Sequence, residues 1–244
     1  MNPGRRFYAI GDIHGRLDLL ERLLARIDED HAARGAMPRT LVFLGDLIDR
    51  GPKSAQVVER LRLLAEAEPS TRFLLGNHEE VMLKALDGDQ AALPFFLRIG
   101  GKETVLSYGI DEDSYLRADY PTILELMRQV VPQAHIDFLN GFENIIVEGD
   151  YAFVHAGVQP KLPLNEQKPD TLRWIRQGFV DYNGTLEKII VHGHTISEEV
   201  EETPCRIGID TGAYMTGRLT AMGFEGGERW TIQTGQSALL AGAA

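Results

Sequence analysis

The strongest constraint on the fold of this chain is a unit that occurs three times in its first third. Each copy consists of a short apolar run, a polar turn that contains glycine, and a stretch with apolar residues at helical spacing. The apolar runs lie at residues 5–10, 41–44 and 72–75. Strand, loop and helix in this order predict parallel strands with right-handed crossovers, which bring the three polar turns to one edge of a sheet.

The polar turns carry residue types that bind metals and transfer protons. Their sequences are GDIHG from Gly11, GDLIDRG from Gly45 and GNHE from Gly76. Two later apolar runs end similarly, in HAG from His155 and in HGHT from His192. Carboxylate and amide oxygens mixed with imidazole nitrogens, and no thiolate, suit Mn²⁺, Fe or Zn²⁺. One strand-end histidine is more often a packing residue, but five such turns together predict a shared metal site.

The strand pattern is absent between about residues 87 and 140. Short helices are predicted at 90–99, 121–131 and 132–139, with loops at the paired glycines and at the acidic run 111–114. We interpret this stretch as a helical insertion in a single domain, residues 1–244, whose face toward the polar turns influences the choice of substrate.

Strands resume after the insertion. The sequence predicts a hairpin at 143–154, a short helix at 171–180 and a buried strand at 188–191. Three further strands are predicted at 206–209, 218–224 and 229–233. We expect these three to be antiparallel, with a turn at 210–212 joining the first two.

Composition limits the possible partners. The chain has 244 residues, 43% of them hydrophobic and 25% charged, which is ordinary for a globular protein. Its net charge of −11 argues against nucleic acid or an anionic membrane as partner, because their phosphates would be repelled. The one cysteine, Cys205, cannot form an internal disulfide. No targeting or membrane-spanning segment is visible, and we therefore expect a cytoplasmic protein.

Taken together, GDIHG, GDLIDRG, GNHE, HAG and GHT resemble the signature of the calcineurin-like metallophosphoesterases. The branch in question includes serine/threonine phosphoprotein phosphatases, phage-type phosphatases and bacterial diadenosine tetraphosphatases. The resemblance runs from Gly11 to Gly212, and the closing IDTGAYMTGRLTA is similar to bacterial and phage members. It implies an α+β fold, a four-layer α/β/β/α sandwich in which two mixed β-sheets are flanked by helices.

The resemblance also implies a site for two divalent metal ions, with Mn²⁺ as the expected metal and Fe or Zn²⁺ as alternatives. The matching ligand positions are Asp12, His14 and Asp46 for one ion, and Asp46, Asn77, His155 and His194 for the other. Asp46 would bridge the ions, because two dications about 3.5–4 Å apart repel strongly unless they share anions. His192 matches no ligand position, and we interpret it as a strand-end residue or one that orients a ligand.

The reaction implied is hydrolysis of a phosphate ester or anhydride, in which a hydroxide shared by the two metals attacks phosphorus. Arg50, and Arg176 in the segment WIR, would bind the phosphate oxygens. His78 would protonate the leaving group, and Asp49 would hold its imidazole charged and oriented. Arg176 has a second interpretation, as a surface arginine of a helix.

Three functions fit this pattern. We favour a protein serine/threonine phosphatase that acts on phosphorylated proteins. The alternative is a dinucleoside polyphosphate hydrolase, for example a diadenosine tetraphosphatase, acting on a small phosphoester or nucleotide. The third is a non-catalytic scaffold of the same fold, which would have lost motif residues, whereas this chain keeps all the expected ones. The pattern leaves open the natural substrate, the identity of the metals and the oligomeric state.

Overall fold

The computed structural model describes residues 4–235. The sequence from residue 237 onward, which predicts a frayed end, lies outside this range. The strands are β1 (Arg6–Ile10), β2 (Arg39–Phe43), β3 (Arg72–Phe73), β4 (Ile145–Glu148), β5 (Tyr151–Val154), β6 (Ile189–His192), β7 (Glu201–Glu202), β8 (Arg206–Gly208), β9 (Thr220–Glu225) and β10 (Glu228–Gln233). The α-helices are α1 (Leu17–Ala33), α2 (Ser54–Ala67), α3 (Asn77–Asp87), α4 (Ala92–Phe96), α5 (Lys102–Ser107), α6 (Glu112–Arg117), α7 (Tyr120–Val130), α8 (Gln133–Asn140), α9 (Pro169–Trp174) and α10 (Ala213–Thr216).

Within the described residues, the strands form two five-stranded mixed sheets. The first has the order β10-β9-β1-β2-β3, and the second has the order β4-β5-β6-β8-β7. Strands β1, β2 and β3 are parallel neighbours, with Ile10 opposite Phe43 and Phe43 opposite Phe73. This confirms the repeated strand, loop and helix unit, and the three polar turns do meet at one sheet edge.

The predicted pairing of the later strands is wrong in one respect. Strand β8 is parallel to β6 in the second sheet, whereas β9 is antiparallel to β1 in the first. Residues 210–212 therefore cross from one sheet to the other and do not close a hairpin. Both strands are buried on two faces, so neither shows the alternation of apolar and polar residues that would indicate its neighbour. The predicted antiparallel pairing of β9 with β10 is confirmed.

Three apolar clusters separate four layers. In β1, Tyr8 and Ile10 pack on the side of α1 and α2, while Phe7 and Ala9 point to the opposite face. That second face packs against Phe153 and neighbouring residues of the other sheet. The third cluster, on the outer face of the second sheet, includes Leu172 of α9. The result is the expected α/β/β/α sandwich, because each sheet has two apolar faces to cover.

The segment between α3 and β4 is helical, and it contains more helices than the sequence pattern predicts. A π-helical turn, Leu97–Gly101, links α4 to α5. The acidic run expected to be a loop instead begins α6, because the Asp111 side chain accepts the backbone N–H of Ser114 and caps the helix. No helix in the described part of the chain is both long and apolar enough to cross a membrane.

Candidate metal centre

The loops at the sheet edges carry unusual backbone conformations. Among the described residues, the non-glycine positions with positive φ are His14, Asp46, Asp49, Arg50 and His194, with φ values from 46° to 71°. This left-handed conformation is unfavourable for residues with a side chain, and it persists only where the surrounding structure fixes it. All five are among the predicted site residues, so the strain is concentrated where the side chains converge.

The first group of metal donors comprises His14 and Asp46. His14 Nδ1 lies 2.7 Å from the Ile48 carbonyl oxygen and donates to it, which leaves the lone pair on Nε2. His14 Nε2 is 3.6 Å from Asp46 Oδ2. Burial lowers the pKa of His14 to about 3, so the ring is neutral at pH 7. A neutral imidazole with its other nitrogen fixed by a carbonyl is the form that binds metals.

The second group comprises Asp46, Asn77, His155 and His194. His155 Nδ1 lies 2.7 Å from the Leu44 carbonyl oxygen, and His155 Nε2 is 3.4 Å from Asp46 Oδ1 and 2.9 Å from Asn77 Oδ1. The His194 ring centre is 5.0 Å from that of His155. Burial lowers the pKa of His194 to about 2, which keeps the ring neutral. The structure therefore joins four of the predicted ligands around a common point.

Asp12 completes the predicted set, and the structure adds Asp210 beside it. Asp12 Oδ2 accepts the backbone N–H of His194 at 3.0 Å. Gly193 allows this approach, because a Cβ there would overlap Asp12 Oδ1. Burial and the charges of Asp210 and Asp46 raise the pKa of Asp12 well above its usual range. From the sequence, Asp210 is predicted only to be a turn residue, although it follows an apolar run as Asp12 does.

The donor set fits divalent cations. Asp12 Oδ1 and His194 Nε2 are buried and have no hydrogen-bond partner among the described residues. Buried polar atoms are almost always paired, so these two atoms point to a ligand. Burial lowers the pKa of His155, but Asp46, the Leu44 carbonyl and Glu79 together outweigh burial, and the net shift is upward. These residues could hold a divalent cation, and oxygen and imidazole donors without sulfur suit Mn²⁺, Fe or Zn²⁺.

His78 lies beside the first group and has a different set of contacts. His78 Nδ1 is 2.6 Å from Asp49 Oδ2, and Thr104 Oγ1 of α5 donates to Asp49 Oδ1 at 2.6 Å. Burial lowers the pKa of His78, but Asp46 and Asp49 outweigh it and the net shift is upward. By distance His78 also qualifies as a metal ligand with His14 and Asp46. The metal content of a His78 variant distinguishes a metal-binding role from a role in proton transfer.

Two predicted arginines reach the site from opposite sides. Arg50 Nη1 is 3.1 Å from His14 Nε2, and Arg50 Nη2 is 3.2 Å from His78 Nε2. The Tyr214 ring centre lies 4.7 Å from the Arg50 guanidinium carbon. Arg176 donates to the His194 carbonyl oxygen at 3.2 Å. Arg176 follows α9 and is not part of it, because that helix ends at Trp174.

Glu79 is buried beside the metal donors, and the sequence pattern did not predict a role for it. Asn77, His78 and Glu79 form the first turn of α3, and not the loop that was predicted. The Glu79 carboxylate accepts backbone N–H groups of the Asp46 loop at 2.8–3.2 Å, and that of Gly76 at 3.1 Å. Glu79 thereby fixes the strained Asp46 loop against α3. The capping-box position, three residues after Gly76, is the sequence signal that would have identified it.

Metal binding to this centre should strengthen as the pH rises. Because the pKa of Asp12 is raised, the folded protein without metal ions keeps a proton on this carboxyl at pH values where the unfolded chain has lost it. The ion-free protein therefore loses stability as the pH rises through the pKa of the folded state. A bound cation displaces this proton. We expect the rise in melting temperature on adding Mn²⁺ to be small near pH 5 and larger near pH 8. Thermal unfolding at a fixed Mn²⁺ concentration, with a chelator as control, measures this rise in melting temperature. An equal rise at every pH would contradict the proposed set of donors.

Comparisons with known proteins find similarity over most of the chain. The family model for calcineurin-like phosphoesterases matches residues 5–217. An asymmetrical bis(5'-nucleosyl)-tetraphosphatase from Anoxybacillus flavithermus is 28% identical over 239 residues, covering 87% of this chain and 88% of that protein. A symmetrical bis(5'-nucleosyl)-tetraphosphatase from Dechloromonas aromatica is 33% identical over 154 residues, covering 63% of this chain and 44% of that protein. The match to the second relative therefore spans less than half of its length.

Solved structures share the fold. A candidate diadenosine tetraphosphatase superposes with a TM-score of 0.64 at 24% identity, covering 95% of both chains. A protein serine/threonine phosphatase from Saccharomyces cerevisiae superposes with a TM-score of 0.56 at 13% identity, covering 95% of this chain and 80% of that one. At these identities the similarity supports the four-layer architecture alone.

Proposed function

Because this chain belongs to the calcineurin-like phosphoesterase family of metal-dependent hydrolases, we propose that its substrate is a dinucleoside polyphosphate such as diadenosine tetraphosphate. The observation that carries this proposal is the similarity to a bis(5'-nucleosyl)-tetraphosphatase over 87% of the chain. The sequence motifs alone favour a phosphoprotein as the substrate. We place the dinucleotide first because the similarity to the serine/threonine phosphatase from Saccharomyces cerevisiae supports only the fold. Hydrolysis of a phosphoprotein is the second candidate, because the same donors would serve it.

The metal ligands follow from the two donor groups. Asp46 would be shared by both ions, since its Oδ2 faces His14 and its Oδ1 faces His155. The remaining ligands would be Asp12 and His14 for one ion, and Asn77, His155 and His194 for the other. We propose Mn²⁺ as the metal. When bound, the ions would supply the Lewis acidity that polarises a phosphoryl group and makes water a competent nucleophile at neutral pH.

The arginines would hold the phosphate chain over these ligands. Arg50 and Arg176 end beside metal ligands on the two sides of the centre, His14 and His194 respectively. Neither arginine has a carboxylate within 4.0 Å in the part of the chain that the structure describes. Their guanidinium groups are therefore available to bind phosphoryl oxygens by paired hydrogen bonds, in geometry that lysine could not match.

His78 would give a proton to the leaving oxygen. Asp49 fixes the ring through Nδ1, and Thr104 fixes Asp49 in turn. This chain of hydrogen bonds leaves Nε2 facing the centre and favours the protonated ring.

We propose that the helical segment between α3 and β4 is an insertion in a single domain. Thr104 belongs to this segment and contacts Asp49, so the segment also helps to build the site. A cytoplasmic location suits both the nucleotide substrate and the free Cys205.

A direct comparison of substrates tests the proposed function. We expect protein loaded with Mn²⁺ to hydrolyse diadenosine tetraphosphate with a kcat/KM at least about tenfold above that for a serine phosphopeptide. Chromatography of the nucleotides measures turnover and shows whether the products are two ADP or ATP with AMP. Rapid dephosphorylation of the peptide without hydrolysis of the dinucleotide would favour the second candidate instead.

A further inference from the structure

An aromatic surface lies next to the metal centre and takes no part in the proposed hydrolysis. It consists of Trp174 and Phe95, whose ring centres are 5.8 Å apart with the rings tilted by 38°. Both rings are half-buried, and they border an open cavity of about 560 Å³. The Trp174 ring centre is 6.5 Å from that of His194. The aromatic surface is therefore adjacent to His194, one of the proposed metal ligands.

The Trp174 ring is held in place by the same helix that carries His78. Trp174 Nε1 donates to Glu80 Oε2 at 2.7 Å, and Glu80 is buried. Arg173 donates to both carboxylate oxygens of Glu80, at 2.9 and 3.0 Å, and Lys84 Nζ lies 2.7 Å from Glu80 Oε1. A ring fixed in this way can bind a planar ligand with little further loss of side-chain freedom.

The charged side chains around this region favour different parts of a nucleotide at its two ends. Arg176 donates to the His194 carbonyl oxygen, at the end next to the metal centre. The cavity itself is bordered by Asp89 and Asp170, and by Lys84, whose ammonium group is paired with the buried Glu80. Carboxylates there disfavour a phosphate, and they can accept hydrogen bonds from the N–H groups of a base. A nucleotide would thus lie with its phosphates at the metal centre and its base on the rings.

We propose that the surface formed by Trp174 and Phe95 binds one nucleobase of the dinucleoside polyphosphate by stacking. The inference rests on the proposed function and names the part of the substrate that the metal centre does not touch. A ribose would span the interval between a phosphate at His194 and a base on Trp174. Base stacking on aromatic rings tolerates different bases, so the surface would select nucleotides over base-free phosphates more strongly than one base over another.

Fluorescence of Trp174 provides the first test. The chain has two tryptophans, and Trp230 lies on β10, where it packs against Tyr8 and Arg34. A Trp230→Phe variant therefore leaves Trp174 as the one tryptophan. In saturating Mn²⁺, ADP should quench its emission saturably, while pyrophosphate should compete for binding without comparable quenching. Equal quenching by both, or quenching by a phosphopeptide but not by ADP, would overturn the inference.

Calorimetric binding to variants provides the second test. Trp174→Leu and Phe95→Leu should each weaken ADP binding relative to pyrophosphate binding by about tenfold, and Trp174→Phe should retain most of the preference. An unchanged ratio in both leucine variants would refute the stacking surface. If Trp174→Leu does not fold, the Phe95→Leu and Trp174→Phe measurements decide. Failure of the proposed function is a separate result: the wild-type protein would hydrolyse p-nitrophenyl phosphate but not diadenosine tetraphosphate.

Discussion

Asp46→Asn is expected to abolish turnover of diadenosine tetraphosphate, with a loss of at least about 10³-fold in kcat. Asp46 is the one carboxylate present in both donor groups, with its two oxygens facing His14 and His155. An amide removes the negative charge that makes two close dications tolerable, so we also expect the variant to retain less metal. Elemental analysis after gel filtration, together with nucleotide chromatography, measures both effects.

A matched substitution separates this effect from general damage to the fold. Asp30→Asn makes the same chemical change at a carboxylate remote from the site, where Asp30 accepts hydrogen bonds from Tyr8 and Trp230. That control should keep its metal content and turnover. The bridging assignment would be wrong if Asp46→Asn kept two ions per chain at the wild-type rate, with a melting curve like that of the wild type.

The first half of the fold could be predicted because local pattern and long-range pairing agree there. Apolar runs such as Leu41 to Phe43 must be strands buried on both faces, and each is followed by an amphipathic helix, which leaves parallel pairing as the one compact solution. The convergence of Asp12, Asp46 and Asn77 follows directly from that topology. Later in the chain, β8 and β9 are equally apolar, but no local feature of the sequence indicates which sheet each strand joins.

The predicted and missed site residues differ in the kind of signal they carry. Asp12, His14 and His155 stand at strand ends in glycine-flanked turns, where their side chains must emerge at the sheet edge. Glu79 and Thr104 act through other residues: Glu79 binds backbone groups of the Asp46 loop, and Thr104 reaches Asp49 from 55 positions away in the chain. The contact of Thr104 depends on tertiary packing, which no spacing of residues in the sequence reveals, whereas Glu79 lies at the capping-box position of α3 and does have a local signal.

Replacing His78 by asparagine should lower kcat on an alkyl phosphomonoester such as a serine phosphopeptide by about 10²–10⁴-fold, while metal content stays near that of the wild type. The reason is that an alkoxide is a poor leaving group, with a pKa near that of water, about 15.7, and it needs a proton as the bond breaks. A nucleoside phosphate leaves with a pKa comparable to the second pKa of a phosphate monoester, about 6, and needs that proton much less. We therefore expect a clearly smaller loss on diadenosine tetraphosphate.

The pH dependence of kcat gives the same assignment a second test. Burial lowers the pKa of His78 but Asp46 and Asp49 raise it by more, and since the protonated ring is the active form, activity on the phosphopeptide should fall as pH rises through that pKa. Asp49→Asn removes one of the charges that raise it, so this alkaline limb should move to lower pH. His135→Asn, a substitution at a buried imidazole bonded to Tyr108 and Glu59, is the matched control and should leave the profile unchanged. Loss of metal together with activity in His78→Asn would instead identify His78 as a ligand of the first donor group.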